Sequence, residues 1–275
     1  MINYTERLTL LMKDVVSRVE TLSFINPADV LIFARFGRSH AEGAFATCHC
    51  LSLPPSEPGY YFWRDRNTGR ITRRSEWFVT KSPVVRIQAR PMKYLISFTL
   101  PRFCDQSLDR SRKERFYRRA SDVWIAKLDT MIHELYHIDP ELNGIRRLET
   151  SDGRYAAHCH TPQFFAHVAA MVSEYLDSRP DPSVYEFLKH DFDTLEARYG
   201  GVAATSFRPF PSYPQRFIER LPIQPACDAE LRDVEVEAWS ARAQRSLYTE
   251  EDLHVRHFTR AASRQVVGKT QRCAA

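Results

Sequence analysis

His133-Glu134-Leu135-Tyr136-His137 is the stretch on which the reading of this chain turns. It has the form H-E-x-x-H. On a helix, residues four apart stand almost above one another, so both imidazoles leave from one face. Two histidines on adjacent turns can hold one zinc ion. Glu134 follows His133 by roughly 100° round the helix. From there a carboxylate reaches a water on the metal without being a ligand. The metal acidifies the water, and the carboxylate takes its proton as a carbonyl is attacked. The pattern fixes few positions, and two surface histidines on an ordinary helix would satisfy it equally well. The surrounding sequence has to decide.

Tyr117, Ala120, Trp124, Leu128, Met131, Leu135 and Ile138 recur at intervals of three and four. They predict one helix running to about Asp139, where Pro140 stops it. Ser111-x-x-Glu114 fits a capping box at its start, and Ser121-Asp122 offers a second start. His133 and His137 lie far round from the apolar stripe, beside Ala126 and Thr130. The expectation is an amphipathic helix with a less apolar face left open for a site.

A catalytic zinc usually takes three protein ligands and a water. After His137 the candidates are Glu141, Glu149, His158, His160, His167 and Glu174. His160 is favoured. It immediately precedes Thr161-Pro162, a hydroxyl N-cap followed by proline at the first helical position. That start can turn the chain back onto the active-site helix. His158 is the alternative: in an extended 158–160 it faces the same side as His160, with Cys159 opposite. Glu174, a helical glutamate, comes third.

Ile132-His133-Glu134-Leu135-Tyr136-His137-Ile138 followed by His160-Thr161-Pro162-Gln163-Phe164 resembles the zinc peptidases of the SprT-like group. In that group a distal histidine before a small-Pro-x-aromatic helix start is the third ligand. The closer likeness is to the phage metallopeptidase domain family, over roughly residues 5–180. The resemblance implies a zincin-like α+β fold, with a small mostly antiparallel sheet packed against the H-E-x-x-H helix and further helices. It implies a Zn2+ cofactor on His133, His137 and His160, Glu134 as catalytic acid/base, and a protein or peptide substrate. Tyr94 to Leu100 corresponds to an edge strand on which an extended substrate would pair. Tyr136 and Tyr155 are minor candidates for stabilising an oxyanion. The zinc-ribbon cysteines of some SprT-like proteins have no counterpart in the tail.

Elsewhere the pattern predicts a first helix over 4–24, with Leu8, Leu11, Val15, Val19 and Leu22 as its stripe. Val30–Phe36 and Ala44–Leu53 read as strands. Gly59–Trp63 and Ile71–Val79 read as a hairpin about Asn67-Thr68-Gly69. Lys93–Leu100 is the clearest strand, closed by Pro101. Helices follow from Pro162 to before Pro180, and from Pro182 to Tyr199, the second closed by Gly200-Gly201. Beyond 201 prolines crowd the chain and the periodicity weakens, with a strand over Val234–Trp239 and a short helix in 229–262. The division expected is a metallopeptidase domain over 1–200 and an extension over 201–275 whose last residues are disordered.

Two basic clusters stand apart. Residues 64–74 hold five arginines and one acid, and 110–119 hold six basic residues and one acid. With the net charge at +5, they carry the chain's excess positive charge. Aromatic residues border both. They support an alternative reading, a nucleic-acid-associated protein with a structural or vestigial zinc site. Against it, a structural zinc does not require Glu134. The bland reading of the clusters is a solvated hairpin tip and a helix's polar face. Cys48-His49-Cys50 alternates across a strand and lacks a matching cysteine pair, so it does not read as a second metal site. The six cysteines show no disulfide spacing. No apolar run approaches a membrane span, and the first residues lack a signal peptide's apolar core, so a cytoplasmic protein is expected.

Overall fold

The structure is a computed structural model that describes residues 1–37, 43–51, 60–64, 71–108, 113–117, 123–142, 144–146, 148, 160–208, 217–220 and 246–260. It is an α+β molecule of helices and small mixed sheets. The first strands and helix are β1 (Ile2–Asn3), α1 (Tyr4–Arg18), β2 (Val30–Gly37) and β3 (Ala46–Cys50). β4 (Tyr60–Arg64), β5 (Ile71–Lys81), β6 (Val84–Ile87), β7 (Arg90–Pro91) and β8 (Tyr94–Pro101) follow. The helical part holds α2 (Glu114–Tyr117), α3 (Ile125–Tyr136), α4 (Pro162–Asp177), α5 (Pro182–Tyr185) and α6 (Phe192–Tyr199). β9 (Val202–Phe207), β10 (Phe217–Arg220), β11 (Leu247–Tyr248) and β12 (Leu253–Phe258) complete the elements.

β8 is buried along its whole length. Its near-continuous apolar sequence is that of a strand covered on both faces. Tyr94, Ile96, Phe98 and Leu100 join the main core with α1, α3 and α4. Leu95 turns the other way, to Phe33, Val85 and Phe207. β8 lies between β2, which is parallel to it, and β3, which is antiparallel. The expectation of an edge strand at 94–100 is therefore corrected: the strand is central and has no free hydrogen-bonding edge. The sheet is likewise not mostly antiparallel but mixed, because the chain between β2 and β8 makes a crossover that returns β8 in β2's direction.

A second sheet places β9 between β1, parallel, and β12, antiparallel. Ser206 Oγ donates to the Ala34 carbonyl at 2.6 Å, and Thr205 N donates to Thr5 Oγ1 at 2.9 Å. Val202, Ala204 and Phe258 share one core with Leu8, Leu135 and Phe164. Residues of β9 and β12, beyond the division expected after residue 200, thus contribute to the core that the earlier elements form. The hairpin over 59–79 is present as β4 and β5, with β10 on the far side of β5. Its turn, and the strand expected over 234–239, lie outside the described residues.

Two helices depart from expectation. The helix ending at Tyr199 is interrupted: a 3-10 turn over Glu186–Lys189 follows α5, and α6 restarts after Asp191. Two distant partners and a local cap hold the break. Lys127 Nζ donates to the His190 carbonyl at 2.7 Å, Thr194 N donates to Asp191 Oδ1 at 2.8 Å, and Phe192 N donates to Asp105 Oδ1 at 3.0 Å. The long helix expected from 111 or 121 appears as α2 and α3. The face of α3 away from the stripe lines a cleft through Thr130, His133 and Glu134, but it is more buried than expected. Leu128, Met131, Leu135 and Ile138 are fully buried as the stripe predicts, but Lys127, Asp129, Thr130 and Glu134 are buried too. Each of the first three has a partner, as a buried polar group requires. Lys113 Nζ lies 2.7 Å from Asp129 Oδ1, Tyr117 Oη donates to Asp129 Oδ2 at 2.7 Å, and Thr130 Oγ1 donates to Gln106 Oε1 at 2.9 Å. Among the described residues no helix is long and apolar enough to cross a membrane.

Candidate metal centre

α3 carries His133 and His137 on successive turns, their ring centroids 4.7 Å apart. The third imidazole arrives from α4. Thr161 leaves helical conformation, its hydroxyl accepts from Phe164 N at 3.2 Å, and Pro162 begins the helix. The bend directly after His160 turns its ring toward α3. His160 Nε2 then lies 3.0 Å from His133 Nε2 and 3.0 Å from His137 Nε2, and the last two are 3.1 Å apart. Phe164, fully buried, packs behind the rings, 5.0 Å from His133 and 4.8 Å from His137 between centroids.

Three nitrogens in one small triangle form a group that could hold a metal ion. A tetrahedral zinc with bonds of about 2.0–2.1 Å places its nitrogens roughly 3.3 Å apart. The observed separations are a few tenths of an ångström shorter, so the residues fit the group. Protonation also fits. Burial drives the His133 imidazole down to about 2, helped by His137 and Lys113 nearby. Burial drives His137 to about 3, helped by His160 and Arg146. Both rings are therefore neutral, the form that ligates. The Nδ1 atoms of His133 and His137 are buried and have no hydrogen-bond partner among the described residues.

Glu134 sits beside the triangle and is not among the convergent ligand atoms. Burial raises its carboxyl to about 7, opposed by the Cys48 amide, Lys113 and Arg35. A carboxyl held near neutrality is matched to taking and returning a proton.

These groups line a cleft of about 450 Å³. Thr130, His133, Glu134 and His137 of α3 form its floor, and Ala44 to Cys48 form one wall. His160, Phe165 and Ile145 line it as well. The wall is the sheet's edge: among the described residues β3 pairs with β8 alone. Thr99 N donates to the Phe45 carbonyl and Leu51 N to the Lys93 carbonyl, both at 2.8 Å. The odd-numbered positions thus bond to β8, and the main-chain groups of Ala46 and Cys48 point away from it.

The structure brings His133, His137, His160 and Glu134 together. His158, Glu149 and Tyr155 lie outside the described residues. Glu174 is elsewhere, its Oε1 accepting from Glu20 N at 2.8 Å. His167 Nδ1 lies 2.7 Å from Tyr136 Oη, and neither residue is among those lining the cleft. Cys48 and Cys50 face the main core while His49 approaches Ser97 on the other side, as strand alternation predicts. In the second basic cluster, Lys113 is turned inward onto Asp129. In the first, 65–70 lie outside the described residues. Reading from sequence missed β3 as the wall, Phe165 and Ile145 as its apolar companions, and Lys113 beneath Glu134. Only Phe165, one residue past the motif that begins at His160 and part of the apolar stripe of the helix after Pro162, carried a local signal. No family model, curated protein or solved structure matches the chain.

Proposed function

We propose that this chain is a zinc-dependent peptidase of zincin-like fold, related to the SprT-like and phage metallopeptidase groups. The observation that carries this reading is the triangle of three Nε2 atoms, 3.0–3.1 Å apart, with Glu134 beside it in an open cleft. His133, His137 and His160 hold the ion. Bound zinc supplies Lewis acidity, which polarises a carbonyl and makes water nucleophilic near neutral pH. Glu134 accepts the proton of the attacking water on its carboxylate and passes it to the leaving amine. The Cys48 amide is turned to Glu134, and Ala46 offers outward main-chain groups on which an extended polypeptide adds as a further strand. This role falls to β3, since β8 is enclosed.

Metal content and hydrolysis test the reading together. The wild type is expected to hold about one zinc per chain. His160→Ala should lower zinc affinity by more than about a hundredfold, since loss of an outer partner alone costs ten- to a hundredfold. Glu134→Gln should keep the metal and lose hydrolysis by about a hundred- to ten-thousandfold. Activity retained in Glu134→Gln would remove its role, and unchanged zinc in His160→Ala would remove the ligand.

A further inference from the structure

Among the described residues, much of the cleft's lining beside the histidines and Glu134 is apolar, with Thr47, Thr130 and Lys113 as its other polar members. Ala44, Phe45 and Ala46, at the start of β3, line the cleft together with Ile145 and Phe165. Phe165 stacks on His160, ring centroids 5.8 Å apart at 20°, so it adjoins the reacting centre. Ile145 is held at the end of α3 by a bridge to Ile138. Phe45 carries the Arg102 guanidinium on its ring at 4.7 Å. Among the described residues, the charged groups lining the cleft beside the histidines are Glu134 and Lys113. The Lys113 ammonium is already set against Asp129, Thr130 and the Ala126 carbonyl.

A strand added to β3 points alternate side chains to one side. Those turned toward α3 enter this apolar space close to the metal ligands. An acidic side chain there would lose its hydration and meet Glu134, with Lys113 already set against Asp129, whereas a large apolar one is stabilised by burial. We infer that the site selects polypeptides with a large apolar side chain beside the bond to be cut, and that Phe45, Ile145 and Phe165 determine this specificity. The inference rests on the peptidase reading of the same cleft.

The test separates the two. Zinc-loaded, full-length Glu134→Gln is titrated with blocked alanine hexapeptides carrying one Phe, Leu, Ser or Glu at the third position. The Phe and Leu peptides should bind at least about tenfold more tightly than the Ser and Glu peptides. Adding Phe165→Ala or Ile145→Ala, each with its metal content verified, should reduce that ratio at least about threefold. The ratio in Glu134→Gln decides even where an added substitution prevents folding. Equal affinities, a preference for Ser or Glu, or no binding of any peptide overturns the inference. Cleavage by the wild type is scored separately. Apolar-selective binding without cleavage would uphold the pocket's selectivity and remove the peptidase reading.

Discussion

Phe164 shows how one residue organises the centre. Its ring touches the imidazoles of His133, His137 and His160 and the ring of Tyr136, and it is fully buried. It therefore belongs to the core and also fixes ligand orientation. The three Nε2 atoms stay convergent only while the rings cannot rotate. Phe164→Ala should cost about 3–5 kcal/mol of stability, as deletion of a core aromatic does. It should also weaken zinc binding. Denaturant unfolding and a competitive zinc titration measure the two effects. Phe164→Leu fills most of the space, so it should recover more stability than zinc affinity. Equal recovery of both would show that the ring does no more than fill volume.

At the scale of elements, the centre depends on where α4 begins. The Thr161 hydroxyl accepts from Phe164 N, and Pro162 contributes a fixed φ at the first helical position. Together they set the bend that delivers His160. Thr161→Ala should cost about 1 kcal/mol, the usual loss for an N-cap hydroxyl. If the cap positions the ligand, zinc affinity falls with it, while Thr161→Ser retains both. An affinity unchanged in Thr161→Ala would assign the bend to Pro162 and packing alone. α3 shows the complementary case. It carries Lys127, Asp129 and Thr130 into buried positions, and each is met by a group from another element. A helix with such side chains would be poorly placed without those partners, since an unpaired buried polar group is costly.

Across the whole molecule, polar ties join the sheets to their surroundings, and one of them links stability to pH. Asp29, at the foot of β2, is buried among Arg90 and Lys93. Arg90 Nη2 lies 2.5 Å and Lys93 Nζ 3.2 Å from its carboxylate. Burial alone would raise its pKa, but these two cations outweigh it and hold the carboxyl below its ordinary value. A depressed carboxylate contributes stability that is fully present above its unfolded value, about 3.9, and is lost as pH falls through the folded value. Asp29→Asn should therefore lower Tm at pH 7, and the gap from wild type should close below about pH 4. Thermal unfolding across pH 3 to pH 7 (roughly the span of the effect) measures it. A gap that stays constant would place the contribution in packing rather than in charge. Arg90 and Lys93 are both partly exposed, which keeps the effect modest.

The sequence by itself determined what is encoded over a few residues. His133 and His137 share a face because they are four apart on a helix, and His160 stands before a helix start because Thr161-Pro162 is one. The stripe of Leu128, Met131, Leu135 and Ile138 and the alternation of Cys48, His49 and Cys50 were legible for the same reason: helical and strand periods are local. Tertiary structure alone decided what depends on residues far apart. Leu95 and Ile96 read as a strong strand but carry no mark of whether it is central or at an edge; that depends on β2 and β3 flanking it. Val202 to Phe207 escaped notice as a strand because its partners are Ile2-Asn3 and Leu253–Phe258, at opposite ends of the chain. The break at His190 is held by Lys127 and Asp105, which no window around it contains. The convergence of three Nε2 atoms is of the same kind. Local sequence places each ring on its own helix, but only the packing of α4 against α3, with Phe164 between them, brings the third nitrogen within 3.0 Å of the other two.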